Sequence, residues 1–254
     1  MARYKLTIEH DGQPFVGWQK QQNGLSVQCV LEDAIEKFAH EKVVLHGAGR
    51  TDAGVHAIGQ VAHFDLVKSY DVHTIKNALN HYVRHYKIAI LSVVEVDQKF
   101  HARFSATERA YLYKILNRKT PSPLLENKAW YVPQPLDIGK MECAASYFIG
   151  RHDFASFRAA KCQANHAIRM VKAVDIQTTD AVWDSLLQHI LVIKVVAPSF
   201  LHNQVRIMVG TLVKVGLGDF EPSYVQNLLL MRDRTKAGIT APAHGLYLLS
   251  VKYD

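Results

Sequence analysis

Gly47-Ala48-Gly49-Arg50-Thr51-Asp52-Ala53-Gly54-Val55-His56-Ala57 is the stretch on which the fold turns. Three readings of it compete. As a dinucleotide-binding fingerprint it would open a helix in a doubly wound parallel sheet. Asp52, however, stands where the third glycine belongs, and no helical periodicity follows at once. As a plain turn it is acceptable, because Gly and Asp are ordinary turn residues and Asp caps its own backbone. The third reading is a loop between two strands that carries a catalytic carboxylate. Arg50 lies two residues before Asp52, and Ala53 and Gly54 are small enough for a substrate to approach the backbone. A carboxylate set among guanidinium groups is held in its charged form, which suits a nucleophile or base and not an acid.

On either side of this stretch, Val43 to Leu45 and Gln60 to Leu66 read as strands. Further out, residues 3 to 9 alternate like a strand. Val27, Val30, Leu31, Ala34, Ile35 and Phe38 recur at helical spacing over 27 to 39, with Ser26 as N-cap. Residues 74 to 84 read as a helix and Ile88 to Val96 as a buried strand, which gives the order β-α-β-β-α-β. The second half repeats it: a strand at Ala110 to Asn117, a helix at 138 to 149, strands near 168 to 177 and 188 to 196, a helix at 202 to 215 and a last strand from Leu246 to Tyr253. An extra helix falls near 222 to 231. The fold class expected is therefore α+β: two similar split-βαβ, ferredoxin-like halves with a central antiparallel sheet and a cleft. The expected division is 1–104, carrying the Asp52 loop, and 105–254, completing the cleft. Thr120-Pro121-Ser122-Pro123, with Pro133 and Pro135, breaks regular structure and is a natural joint.

The composition fits a globular chain with a polyanionic partner. Of 254 residues 48% are hydrophobic, and 30 Lys and Arg outnumber 23 Asp and Glu, for a formal charge of +7. The excess is local. From Lys99 to Thr120 six basic side chains meet one acid, Glu108, and alternate with Phe100, Phe104, Tyr111 and Tyr113, a mixture that holds phosphates and stacks bases. From Arg158 to Lys172 four basic residues meet no acid. Cys29, Cys143 and Cys162 have no metal-ligand or disulfide-framework spacing, and no apolar run approaches the roughly 18 residues of a membrane span. His81 and His85 have the spacing of a metal pair without a third ligand nearby, so no metal site is expected. A reducing, cytoplasmic location is expected.

Gly49-Arg50-Thr51-Asp52-Ala53-Gly54-Val55-His56-Ala57 resembles the signature of the tRNA pseudouridine synthases of the TruA family, and the resemblance runs along nearly the whole chain. Tyr4 to His10 with Asp11-Gly12 and Gly17-Trp18-Gln19 is similar to the family's opening strand and loop. Phe100-His101-Ala102-Arg103-Phe104-Ser105-Ala106-Thr107 and Arg109-Ala110-Tyr111-Leu112-Tyr113 match its middle motif. His152 to Phe157, Phe200 through Arg206 to Gly210, and Gly245-Leu246-Tyr247-Leu248 follow in order. The chain differs at Leu79 to Tyr86, where the family usually carries an Asn-x-Leu-Pro turn, and is less typical from Ala159 to Ala167.

The resemblance implies a homodimeric isomerase that turns uridine into pseudouridine in the anticodon stem and loop of tRNA, at positions 38 to 40, without metal or organic cofactor. It puts Asp52 on the catalytic aspartate, Tyr111 on the tyrosine packed against the uracil, and Arg206 on the basic partner of the aspartate. Arg50 falls on the arginine that holds the flipped-out nucleotide, and Leu246 on an apolar residue of the pocket wall. Arg103 and Lys114 are expected to contact tRNA phosphates. An RNA-binding or chaperone protein on the same scaffold is the rival expectation, and a nucleotide-binding oxidoreductase a more distant one.

Overall fold

The structure is a computed structural model that describes residues 1–22, 24–160, 162–179 and 189–254. It consists of two compact units, Met1–Thr107 with Tyr247–Asp254, and Glu108–Leu246.

In the first unit, β1 (Ala2–His10) is followed by α1 (Val27–Ala39), β2 (His46–Gly47), β3 (His56–Leu66), α2 (Val72–Val83) and β4 (Ile88–Val96). The two helices start where the sequence can satisfy their free amides. Ser26 Oγ accepts from Cys29 N at 3.2 Å, and Asp71 Oδ2 accepts from Thr74 N at 2.9 Å. The strands run antiparallel in the order β4, β1, β3, with β2 on the far edge of β3, which is the winding of a split βαβ unit. Tyr4, Leu6 and Ile8 of β1 and Phe64 and Leu66 of β3 pack with Leu31 and Ile35 of α1 and Ile75 and Leu79 of α2 in one core. β4 lies at the end of this order, and only Ile88, Ile90 and Val93 of its side chains are buried, so the expectation of a fully buried strand is corrected to a strand with one buried face. Asn80, in the atypical segment, hydrogen-bonds both backbone groups of Ile90 and ties α2 to that strand.

The expected strand Val43 to Leu45 is not one. Leu45 is buried in the helical core, and its backbone is satisfied by side chains of α1: Glu32 Oε1 accepts from Leu45 N at 3.0 Å, and Gln28 Nε2 donates to Leu45 O at 3.1 Å. Pairing begins only at His46, opposite His63. β3 in turn begins four residues earlier than expected.

The second unit holds β5 (Ala106–Asn117, from Glu108 onward), β6 (Trp130–Val132), α3 (Ile138–Ser146), β7 (Gly150–Asp153), β8 (Ile168–Val171), β9 (Ala173–Thr178), β10 (Ile190–Ala197), α4 (Gln204–Gly216) and α5 (Tyr224–Met231). β5, β10 and β9 are antiparallel neighbours in that order, while β6 lies parallel to β5 and β7 pairs only with β8. The expected strand over 168 to 177 is two, parted at Lys172, whose amide donates to Val196 O. Residue 188, the expected start of β10, and Lys161, within the second basic run, lie outside the described residues. Thr120 to Pro123 does interrupt regular structure, but inside the second unit, because the division falls between Thr107 and Glu108.

The last strand, β11 (Leu246–Tyr253), pairs in parallel with β3 through Tyr247 opposite His56 and Leu248 opposite Ala57. The expected division at 104/105 leaves this strand with the C-terminal half; from Tyr247 onward it belongs to the first unit. The room for it exists because β2 is only two residues long and occupies β3 no further than Ala62 and His63.

Candidate active site

In the first unit the Asp52 loop runs from β2 to β3 and is clamped from two sides. On one side, Ala48 N donates to Val61 O at 2.7 Å and Gln60 Nε2 to Gly49 O at 2.9 Å. On the other lies the segment after β1. Gly17 forms an isolated antiparallel bridge with Asp52, and Trp18 N donates to Thr51 O at 3.0 Å. Gly17 has φ +122°, and a Cβ there would stand 2.8 Å from Thr51 O, so a side chain is excluded twice over. Gly12 is pressed still closer: a Cβ would press far inside contact distance of the Val55 carbonyl oxygen and lie 2.5 Å from its carbon. Between these contacts Val55 N closes a turn onto Asp52 O at 3.1 Å, with Gly54 at φ +78° in the third position, where a type II turn requires it.

The result is a fixed backbone that presents Asp52 half-buried, Arg50 exposed, and Thr51 and Val55 buried. Behind the loop, Gly12 N donates to His56 Nδ1 at 3.0 Å, and the same nitrogen lies 3.1 Å from Asp11 Oδ1. Lys87 Nζ holds the other oxygen of Asp11 at 3.2 Å, and the His56 ring stacks on Tyr247 at 4.6 Å. Burial first, and then the Asp11 carboxylate, raise the pKa of the Tyr247 hydroxyl. His10, also buried here, has its pKa pushed down to about 4, chiefly by burial and then by the neighbouring His56. Sequence reasoning quoted Gly12, Gly17-Trp18 and His56 only as parts of a pattern. Their steric and hydrogen-bonding work depends on which backbones touch, and a sequence does not display that.

Arg103 belongs to the same unit and is exposed. It sits in a tight turn in which His101 Nδ1 accepts from both Arg103 N and Phe104 N.

In the second unit Tyr111 lies on β5 opposite Val195 of β10, half-buried, with its ring edge-on to Phe200 at 5.2 Å. Tyr113, two residues on and so on the same face, is fully buried and donates to Pro242 O at 2.8 Å. Burial raises its hydroxyl pKa despite the nearby Arg206. Arg206 lies in the first turn of α4. Its Nε donates to Ala241 O at 2.7 Å and its Nη1 to Asn203 Oδ1 at 3.0 Å, while Ala241 N returns a bond to Arg206 O at 3.1 Å. The guanidinium is thus oriented by the strap 238–241. Gly210 lets that strap approach, since a Cβ on it would clash with the Ile239 carbonyl oxygen. Leu246, buried, opens β11 directly after the turn Ala243–Gly245.

Lys114 is not on the Tyr111 face: three residues along a strand reverses the side, and its ammonium has a lowered pKa through burial first and Lys128 second. Tyr111, Tyr113 and Arg206 are therefore grouped within the second unit, and Arg50 and Asp52 within the first.

Comparison with known proteins identifies the family. The sequence matches the family described as tRNA pseudouridine synthase over residues 7–105 and 144–254. The chain belongs to the tRNA pseudouridine synthase family. It is an isomerase by class. A tRNA pseudouridine synthase A of Anaplasma phagocytophilum is 49% identical over 253 residues, 99% of this chain and 100% of the relative. That of Ehrlichia canis is 48% identical over 252 residues, with 99% and 100% covered. That of Paramagnetospirillum magneticum is 47% identical over 256 residues, covering 100% of this chain and 96% of the relative. Of the synthase's candidate residues, Arg50, Asp52, Arg103, Arg206 and Leu246 fall inside the family match, whereas Tyr111 and Lys114 fall between its two matched stretches.

Proposed function

We propose that this synthase isomerises uridines in the anticodon stem and loop of tRNA, at positions 38 to 40, with Asp52 as its catalytic carboxylate. The observation that carries the proposal is the loop geometry: a carboxylate on a turn fixed by backbone contacts, beside an exposed arginine, within the family's signature. The reaction breaks the N1–C1′ glycosidic bond, rotates the uracil and joins C5 to C1′. The C5 proton leaves and N1 gains one, so the product is an isomer and nothing is consumed. Cleavage puts negative charge on the uracil and oxocarbenium character on the ribose. An ionised Asp52 serves either by adding to C1′ or by removing the C2′ proton to give a glycal; both routes use the same carboxylate.

A target base in a stem must first leave the stack, at a cost of a few kcal/mol. Arg50, exposed beside Asp52, is assigned to hold the flipped nucleotide, and Tyr111 to pack its ring on the uracil. Arg206 is assigned as counter-charge to the aspartate and Leu246 as pocket wall. Arg103 and Lys114 are assigned to tRNA phosphates, a role that the exposure of Arg103 favours and the partial burial of Lys114 limits to its tip. The active form is proposed to be a cytoplasmic homodimer.

The test is release of tritium from C5-labelled uridine in tRNA. Wild type releases label, whereas Asp52→Ala binds tRNA and releases none. Equal release by the two proteins would falsify the assignment, and mapping of the modified positions checks the anticodon-arm claim.

A further inference from the structure

We infer that Phe104 and Arg103 form a docking site for one unpaired nucleotide of the tRNA, separate from the place where uridine reacts. This rests on the tRNA reading above. Phe104 is 75% exposed, a large apolar side chain that folding leaves in water. It is nevertheless held in place. His101 N donates to Ser105 Oγ and Ser105 N to His101 O, both at 2.9 Å; His101 Nδ1 accepts from Arg103 N and Phe104 N; Ala102 N donates to His63 Nδ1 at 3.1 Å. This turn aims residues 103 and 104 outward and leaves their backbone little freedom.

The rings beneath are layered. Phe104 lies 4.4 Å from the His101 ring, which packs on His63 at 4.7 Å, and His63 stacks on His46 at 5.0 Å and 22°. The Arg103 guanidinium stands 5.6 Å from the Phe104 ring centre. An exposed aromatic ring with a guanidinium over it suits one nucleotide: base on ring, phosphate on guanidinium. Charge favours this occupant too, because Asp65, the carboxylate whose charge acts on His63, is held in a two-toothed pair by Arg3. The site is distinct from the Asp52 turn. His63 lies seven residues along β3 from His56, about 23 Å on an extended strand, whereas Asp52 is bonded to Val55 at the strand's start.

The experiment measures equilibrium binding of an unmodified tRNA transcript over a series of salt concentrations. Phe104→Leu is expected to weaken binding roughly five- to hundredfold at every salt concentration with an unchanged salt slope, because stacking carries no counterions. Phe104→Tyr stays near wild type. Arg103→Gln weakens binding and lowers the slope by about one. Wild-type affinity for Phe104→Leu overturns the inference, as does a loss that sedimentation traces to dissociation of a dimer, which would make this face an interface between copies of the chain. If wild type binds and modifies tRNA while Phe104→Leu is indistinguishable from it, this inference alone fails; if wild type itself neither binds nor modifies tRNA, the reading beneath it fails as well.

Discussion

Gly12→Ala tests whether backbone contact is what sets the Asp52 turn. The added methyl would press far inside contact distance of the Val55 carbonyl oxygen and lie 2.5 Å from Val55 C and 2.8 Å from Gly54 C. Ordinary contact begins near 3.4 Å, so the two segments must part by about 1 Å. That separation strains the bond from Gly12 N to His56 Nδ1 and the close packing around it. Overpacking at about 1–3 kcal/mol plus a weakened buried hydrogen bond at about 1 kcal/mol gives a loss of roughly 2–4 kcal/mol. The same shift moves the turn that carries the carboxylate, and a displacement of about 1 Å typically costs about 100-fold in turnover. The assay is kcat for pseudouridine formation below the melting transition, with thermal denaturation on the same samples. Gly218→Ala is the control: its φ of +81° makes alanine strained, yet nothing lies within 4 Å of the new methyl. It should cost about 1 kcal/mol and leave kcat alone. Wild-type turnover in Gly12→Ala, or equal turnover losses in the two variants, would refute the reasoning.

Tyr111→Phe should retain tRNA modification within about tenfold, since the proposed contact is the ring face, whereas Tyr111→Ala should lose at least that much more; single-turnover rates distinguish the two, and a large loss in the phenylalanine variant would move the role to the hydroxyl. Acid sensitivity should trace in part to His10, whose pKa lies near 4 in the folded chain against 6.5 unfolded. Only the unfolded chain binds the proton between those values, so stability is at its full value above pH 6.5 and falls by up to about 3 kcal/mol as pH drops to 4. His10→Gln should flatten that slope in denaturant titrations. It should not abolish it, because the pKa of His63 is likewise lowered to about 4, by burial first; an unchanged slope would show that His10 is protonated in the folded chain.

Much of the first unit was legible. The boundaries of α1 and β4 coincide with the sequence reading because apolar periodicity and, for α1, a capping serine mark them. The winding of the first unit, too, follows from the β-α-β-β-α-β order. What escaped was non-local. Val43 to Leu45 has strand composition, but the side chains of Glu32 and Gln28 take the hydrogen bonds that a neighbouring strand would have made. β7 is four residues long and pairs only with β8, too short for periodicity to register. The return of β11 to β3 depends on the brevity of β2, a fact about pairing and not about residues 246–253 themselves. At the candidate site, the small residues around Asp52 mark the turn that the structure shows, whereas Lys114, chosen by charge, lies on the far side of β5 from Tyr111.

The two units solve one problem by the same means. A group that acts on a bound substrate must be held to within about an ångström. In the first unit backbone contacts fix the turn: Gly12 and Gly17 let one loop press against the peptide groups of Thr51 to Val55, and the bridge to Gly17 runs through the main chain of Asp52. In the second, Gly210 lets the strap at Ile239 press on α4, and that strap supplies the Ala241 carbonyl that orients Arg206. On the proposed roles of Asp52 and Arg206, substitutions of glycine at 12, 17 and 210 should reduce turnover more than their cost in stability alone explains, because each contact sets the position of one of those groups.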